Sequence, residues 1–122
     1  MKYTGCEKTV IVPSGVTRIG TGAFWSNLAI EKVILPEGVE GICGDAFVYC
    51  ENLKNVNIPS SVSEMGDDPF AGCLNIEIDN RSTNFINENG VLFDSTKRFL
   101  IHYTASKPDE EYTIPETVTW IG

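Results

Sequence analysis

Three residues of this chain could be arranged for nucleophilic chemistry. His102 is the one histidine, and so the one side chain able to trade a proton near neutral pH without a large perturbation. Ser106 follows it closely, and Asp94 lies across an expected hairpin, so Ser106, His102 and Asp94 spell a conceivable hydrolase triad. No nucleophile elbow or oxyanion loop accompanies them, and His102 is expected as a surface residue of a strand. The four cysteines are Cys6, Cys43, Cys50 and Cys73. None forms a C-x-x-C pair, so a zinc site is not expected. Cys50 and Cys73 are expected as buried thiols acting as small hydrophobes rather than as a disulfide. Cys6, near an edge, is the best candidate for a reactive thiol. Glu64, Asp67 and Asp68 cluster in a loop, but without the alternating oxygen ligands of a calcium site. Asn80-Arg81-Ser82 fits a glycosylation acceptor, a triplet short enough to arise by chance. No catalytic, metal or cofactor site is therefore expected.

Charge narrows the classes further. The formal net charge is −8 over 122 residues, with the acids spread along the chain. That argues against nucleic acid and anionic membrane surfaces, both of which require a cationic face. No apolar run is long enough to span a bilayer, so the chain is not expected to be membrane-embedded. The length suits a single domain, residues 1–122.

The elements that would position any site are set by a repeat. Pro13, Pro36 and Pro59 are 23 residues apart, as are Phe24, Phe47 and Phe70. A fixed period of this size decides the architecture, because one unit cannot bury its own apolar face while stacked units can. Units run over about 9–32, 33–55 and 56–78, with a partial unit at 112–122. Within each, a β-branched run such as Val10-Ile11-Val12 ends at a proline that cannot donate to a sheet. A turn follows, then a short edge such as Arg18-Ile19, then an Ala-Phe pair expected on a brief helical turn. Aligned positions form inward columns. Val10, Val33, Val56 and Ile76 make one; Val12, Leu35, Ile58, Ile78 and Ile114 make the next. This alignment treats the third unit as three residues short. The segment 79–111 breaks the period and is expected to be an inserted loop and hairpin, with Val91-Leu92-Phe93 and Phe99-Leu100-Ile101-His102-Tyr103 as its strands. Asn89-Gly90 reads as a turn.

The pattern I-P-x-x-V-x-x-I-G-x-x-A-F-x-x-C-x-x-L at this period resembles the BspA-like leucine-rich repeat family. It covers residues 9–78 in full units and 112–122 in part. Cys43 in place of Gly, Pro69 in place of Ala and Asn27 in place of Cys depart from it locally. The resemblance implies a right-handed leucine-rich-repeat solenoid with a parallel sheet on its concave face. It also implies a secreted or cell-surface setting, a role in adhesion or host-protein binding, and no catalytic residues. The repeat stops in mid-unit at Gly122, so a fragment of a longer array is expected.

On such a solenoid the outward side chains between the inward columns are Ile11, Ile34, Asn57, Glu77 and Thr113. Lys32 flanks them, in a row with Thr9, Asn55 and Asn75. An apolar pair beside a polar and acidic row is a docking strip for protein or glycan. The bland alternative is a plain sheet surface with Ile11 and Ile34 as a cross-strand pair. A spacer role, or edge-to-edge self-association through an open sheet, is the competing class. Trp25, Tyr49 and Trp120 are expected as exposed aromatics at turns.

Overall fold

A computed structural model describes residues 3–104 and 112–122. Three sheets account for its strands. The first is parallel, built from β1 (Thr9–Ile11), β3 (Lys32–Ile34), β5 (Asn55–Ile58) and β7 (Glu77–Asn80). A second parallel sheet joins β2 (Arg18–Ile19), β4 (Gly41–Ile42) and β6 (Glu64–Met65). Register follows the repeat: Val10 faces Val33 and Val33 faces Val56, while Ile19 faces Ile42 and Ile42 faces Met65. Each proline starts the same turn, with Val16, Val39, Val62 and Val118 donating back to the carbonyls of Pro13, Pro36, Pro59 and Pro115.

The segments expected as brief helical turns are not helical, and no helix occurs among the described residues. Alternate amides explain this. Ala23, Trp25 and Asn27 donate three residues back, but Phe24 and Ser26 donate to Ala46 and Val48 of the next coil, each at 2.8 Å. Phe47 and Tyr49 repeat this onto Pro69 and Ala71. An α-helix needs those same donors inside its own turn. The chain instead forms a third ladder between coils. Ser26, Tyr49 and Gly72, at equal spacing, all take left-handed backbone, with φ of 55°, 60° and 80°.

Between the ladders lies one apolar core. Phe24, Phe47 and Phe70 stack with centroids 5.0 and 5.5 Å apart, and ring planes 3° and 12° from parallel. Such pairs add about 0.5–1.5 kcal/mol each beyond burial. Tyr3 closes the column at one end, 5.5 Å from Phe24.

The third unit corrects the sequence alignment. Ile76 is buried at the place of Ile30 and Leu53, and Glu77 N donates to Lys54 O as Lys54 N donates to Glu31 O. Ile78 then faces Val56, and Asn80 faces Ile58. The unit is therefore short by one residue, and neither Ile76 nor Ile78 sits in the column assigned to it.

The 79–111 segment also differs from a single hairpin. Its first residues, Asp79 and Asn80, belong to β7. Strands β8 (Phe85–Glu88), β9 (Val91–Asp94) and β10 (Phe99–Tyr103) follow as an antiparallel meander, and β11 (Trp120–Ile121) adds to β10 in parallel. Asn89 and Gly90 close the first hairpin with φ of 51° and 83°, the backbone that a two-residue turn requires. Val91, Phe93 and Leu100 form a small second core, while Phe85, Leu92 and Ile101 join the main one. Ile114, expected in an inward column, is 44% exposed, because its unit extends the meander and not the first sheet.

Candidate functional site

The first sheet presents two outward rows. Thr9, Lys32, Asn55 and Glu77 share one, and Ile11, Ile34, Asn57 and Asp79 share the other. Glu77 thus stands in the flanking row beside Asn55, one strand on from Lys32, where Asn75 was expected, and Asp79 holds the place assigned to Glu77. The single missing residue causes this exchange. Thr113 is exposed but lies in no strand, away from this sheet.

Four of the nominated residues, Lys32, Ile34, Asn57 and Glu77, line one groove of about 640 Å³. Ile11 continues the row on β1, 70% exposed. Their chemistry is uneven. Asn57 is occupied by the fold: its Oδ1 accepts Leu35 N at 2.7 Å and its Nδ2 donates to Leu35 O at 2.8 Å. This prolongs the ladder beyond the end of β3. Arg81, also in the groove, is tied to Asp79 at 3.1 Å. Glu37 accepts from Ser60 Oγ at 2.8 Å and from Ser60 N at 3.3 Å, which holds its carboxyl below the ordinary value. Among the described residues, Lys32, Ile34, Asn55 and Glu77 are the exposed groove residues whose side chains make no hydrogen bond or ion pair within the fold.

The residues that suggested hydrolysis are placed elsewhere. His102 is buried, not on the surface, because its strand packs over the last ring of the phenylalanine column. It meets Phe70 edge-on, with centroids 5.9 Å apart. Its Nδ1 is 2.8 Å from Asp68 Oδ1, which also accepts Phe70 N. Its Nε2 is buried with no hydrogen-bond partner among the described residues. Asp94 is turned to its own loop, accepting from Thr96 Oγ and from the amides of Arg98 and Phe99. Ser106 lies outside the described residues. The signal for the His102–Asp68 pair was present in both residues, but their separation of 34 positions hid it.

None of the four cysteines is in a disulfide. Cys50 Sγ donates to Phe24 O at 2.8 Å and Cys73 Sγ to Phe47 O at 3.1 Å, each reaching one coil back. Burial, then the neighbouring Cys50, pushes the Cys73 thiol up to about 12. Asn27 takes this position in the first unit, where its Oδ1 accepts Ala29 N and Ile30 N and its Nδ2 donates to Gly5 O. Cys6 is exposed and Cys43 half-buried. The acceptor triplet is spent structurally. Asn80 Nδ2 donates to Ser82 O and Phe85 O, its Oδ1 accepts Ser82 N, and buried Ser82 donates through Oγ to Val62 O.

Comparison with known proteins places this geometry. The family described as a BspA-type leucine-rich repeat region matches residues 2–97 in six copies, a span that reaches into the meander. A leucine-rich cell-surface protein from Faecalibacterium prausnitzii superposes with a TM-score of 0.81 at 29% identity, over 91% of this chain. The pneumococcal vaccine antigen PcpA gives 0.81 at 27% identity over 93%. A leucine-rich repeat protein from Eubacterium ventriosum gives 0.52 at 25% identity over 93%. The chain spans 30%, 29% and 43% of those three in turn. Among functionally curated proteins, none matches the sequence.

Proposed function

This chain belongs to the BspA-type leucine-rich repeat family, and from that premise we propose that it is a non-catalytic interaction module of a secreted or cell-surface protein. Its partner is a protein or a glycan, held on the groove of the first sheet, and the biological outcome is adhesion or host-protein binding. The observation that carries this is the outward row of β1 and β3. Ile11 and Ile34 are 70% and 36% exposed, side by side in register, with Lys32 and Glu77, which have no ion-pair partner among the described residues, in the next row. An exposed aliphatic pair beside polar and charged side chains matches the mixed chemistry of a recognition surface. No helix among the described residues is long and apolar enough to cross a membrane.

The test is a binding screen against purified extracellular proteins and a glycan array, run with the full chain and an Ile34→Asp, Glu77→Lys variant. A partner retained by the first and lost by the second, with the variant's melting unchanged, supports the reading. Equal capture by both sinks it.

A second reading, a self-assembling spacer, is favoured by the outer edge of β1, which is unpaired among the described strands. It requires the chain to sediment as a concentration-dependent oligomer, which Ile11→Lys disperses.

A further inference from the structure

A second groove of about 470 Å³ lies between the third coil and the meander, and it shares no lining residue with the groove above. Its floor is apolar, with Met65, Leu100 and Ile101 among its lining. Two aromatic residues stand at its mouth. Phe99 and Trp120 are directly paired in the parallel register of β10 and β11, about 4.8 Å apart along the sheet. They are 46% and 53% exposed. The charged residues lining the groove are Glu64, Asp67, Asp68 and Asp94, and among the described residues no lysine, arginine or histidine lines it.

The carboxylates are held in place without being used up. Among the described residues, Asp68 engages His102 and Phe70 N through Oδ1, and Glu64 meets Arg18 through Oε2, each with its second oxygen making no such bond. Asp67 has no ion-pair partner among the described residues. Asp94 is fixed by its own loop; burial draws its carboxyl up, but bonds from Thr96 and the amides of Phe99 and Arg98 outweigh that and hold it below the ordinary value. The groove thus sets these carboxylates beside two exposed aromatic side chains. A planar cation is what both parts recognise. Guanidinium stacks on aromatic faces and binds carboxylates in a fork, whereas apolar or anionic groups would leave the charges unmatched.

We propose that this groove docks an arginine side chain of a partner protein, stacked on Phe99 and Trp120 and paired with the Asp67 and Glu64 carboxylates.

The test uses the full chain, 15N-labelled, titrated with the peptide Ac-Gly-Gly-Arg-Gly-Gly-NH2 and with the same peptide carrying citrulline, the neutral isostere. Trp25 and Trp120 are the only two tryptophans, so their indole signals separate the sites. The proposal expects a saturable shift of the Trp120 indole, with Trp25 unmoved, and binding about tenfold weaker for citrulline. Asp67→Asn, read at the Trp120 indole, and Trp120→Leu, read at the backbone amides of Phe99 and Asp67, both at exposed positions, should each weaken arginine binding severalfold with the rest of the spectrum unchanged. Equal binding of citrulline overturns it. So does a shift that maps to Ile34 and Glu77, or the absence of saturation at about 10 mM peptide, where a Kd in the low-millimolar range would show.

Discussion

The coils of residues 9–78 and the meander of residues 81–122 solve the same burial problem by different means. In the coils, three ladders of backbone bonds follow the 23-residue repeat, with one residue lost on the way to β7, and the inward side chains pack on their own copies. Phe47 lies between Phe24 and Phe70 and is fully buried. The meander has no copies to stack. It uses antiparallel hairpins, a three-residue second core, and one polar latch, His102 on Asp68, to close over Phe70. Repetition makes the coils rigid and generic. The non-repeating end carries the individual chemistry: a buried histidine, a pinned aspartate and a paired aromatic face.

The largest effect that could break this contrast is truncation within the column. Phe47→Ala should cost about 3–5 kcal/mol in denaturant unfolding, against less than about 0.5 kcal/mol for Phe99→Ala on the meander surface. Similar losses would mean that the meander surface contributes as much burial as the phenylalanine column. Next comes close approach of backbone. A Cβ on Gly66 would sit 2.2 Å from Gly44 N, whereas the equivalent Gly20 has open space around it. Gly66→Ala should cost about 1–3 kcal/mol or more by overpacking, and Gly20→Ala should be close to neutral.

The latch comes third. His102→Ala removes the Asp68 partner and opens a space beside Phe70. We expect about 1–3 kcal/mol, with amide exchange in β10 rising before that in β5. Uniform acceleration across both strands would deny the latch its local role.

A smaller effect is pH-dependent. Cys73 is raised from 9.0 to about 12 by burial, with Cys50 adding to the rise. A raised thiol stays protonated in the fold while the unfolded chain deprotonates. Stability from this group is therefore complete below pH 9 and is lost as pH climbs from 9 toward 12. Cys73→Ala should flatten the urea-midpoint profile in that window. In native protein Cys6 should react with a thiol reagent at once, and Cys50 and Cys73 only on unfolding. Smallest of all, Glu77→Gln should leave stability within about 0.5 kcal/mol, since its exposed carboxylate makes no ion pair or hydrogen bond among the described residues. Asn57→Ala, in the same groove, should cost more, because it strands the Leu35 amide and carbonyl.

Much of the coil was legible beforehand. The proline and phenylalanine spacing gave the period, and the β-branched runs gave the first sheet's registers for β1, β3 and β5. The error came where one residue is missing. Ile76 and Ile78 are both apolar and alternate correctly under more than one alignment, so hydrophobicity could not choose among them. The resulting slip exchanged Glu77 for Asp79 on the outer face. The candidate groove was therefore legible in kind, while its charge pattern was not. The helical turns were over-read because an Ala-Phe pair gives no hint that its amides bond to another coil.

What the sequence alone determined is whatever repeats. A side chain that stacks on its own copy must recur at the period, so the columns, the proline turns and the phenylalanine ladder are written in the spacing. Tertiary structure decided what happens once. His102 finding Asp68, Asn57 binding the Leu35 backbone, and Phe99 lying beside Trp120 are single contacts between distant positions. No periodicity announces them, because each depends on how the coil ends and how the meander folds back across it.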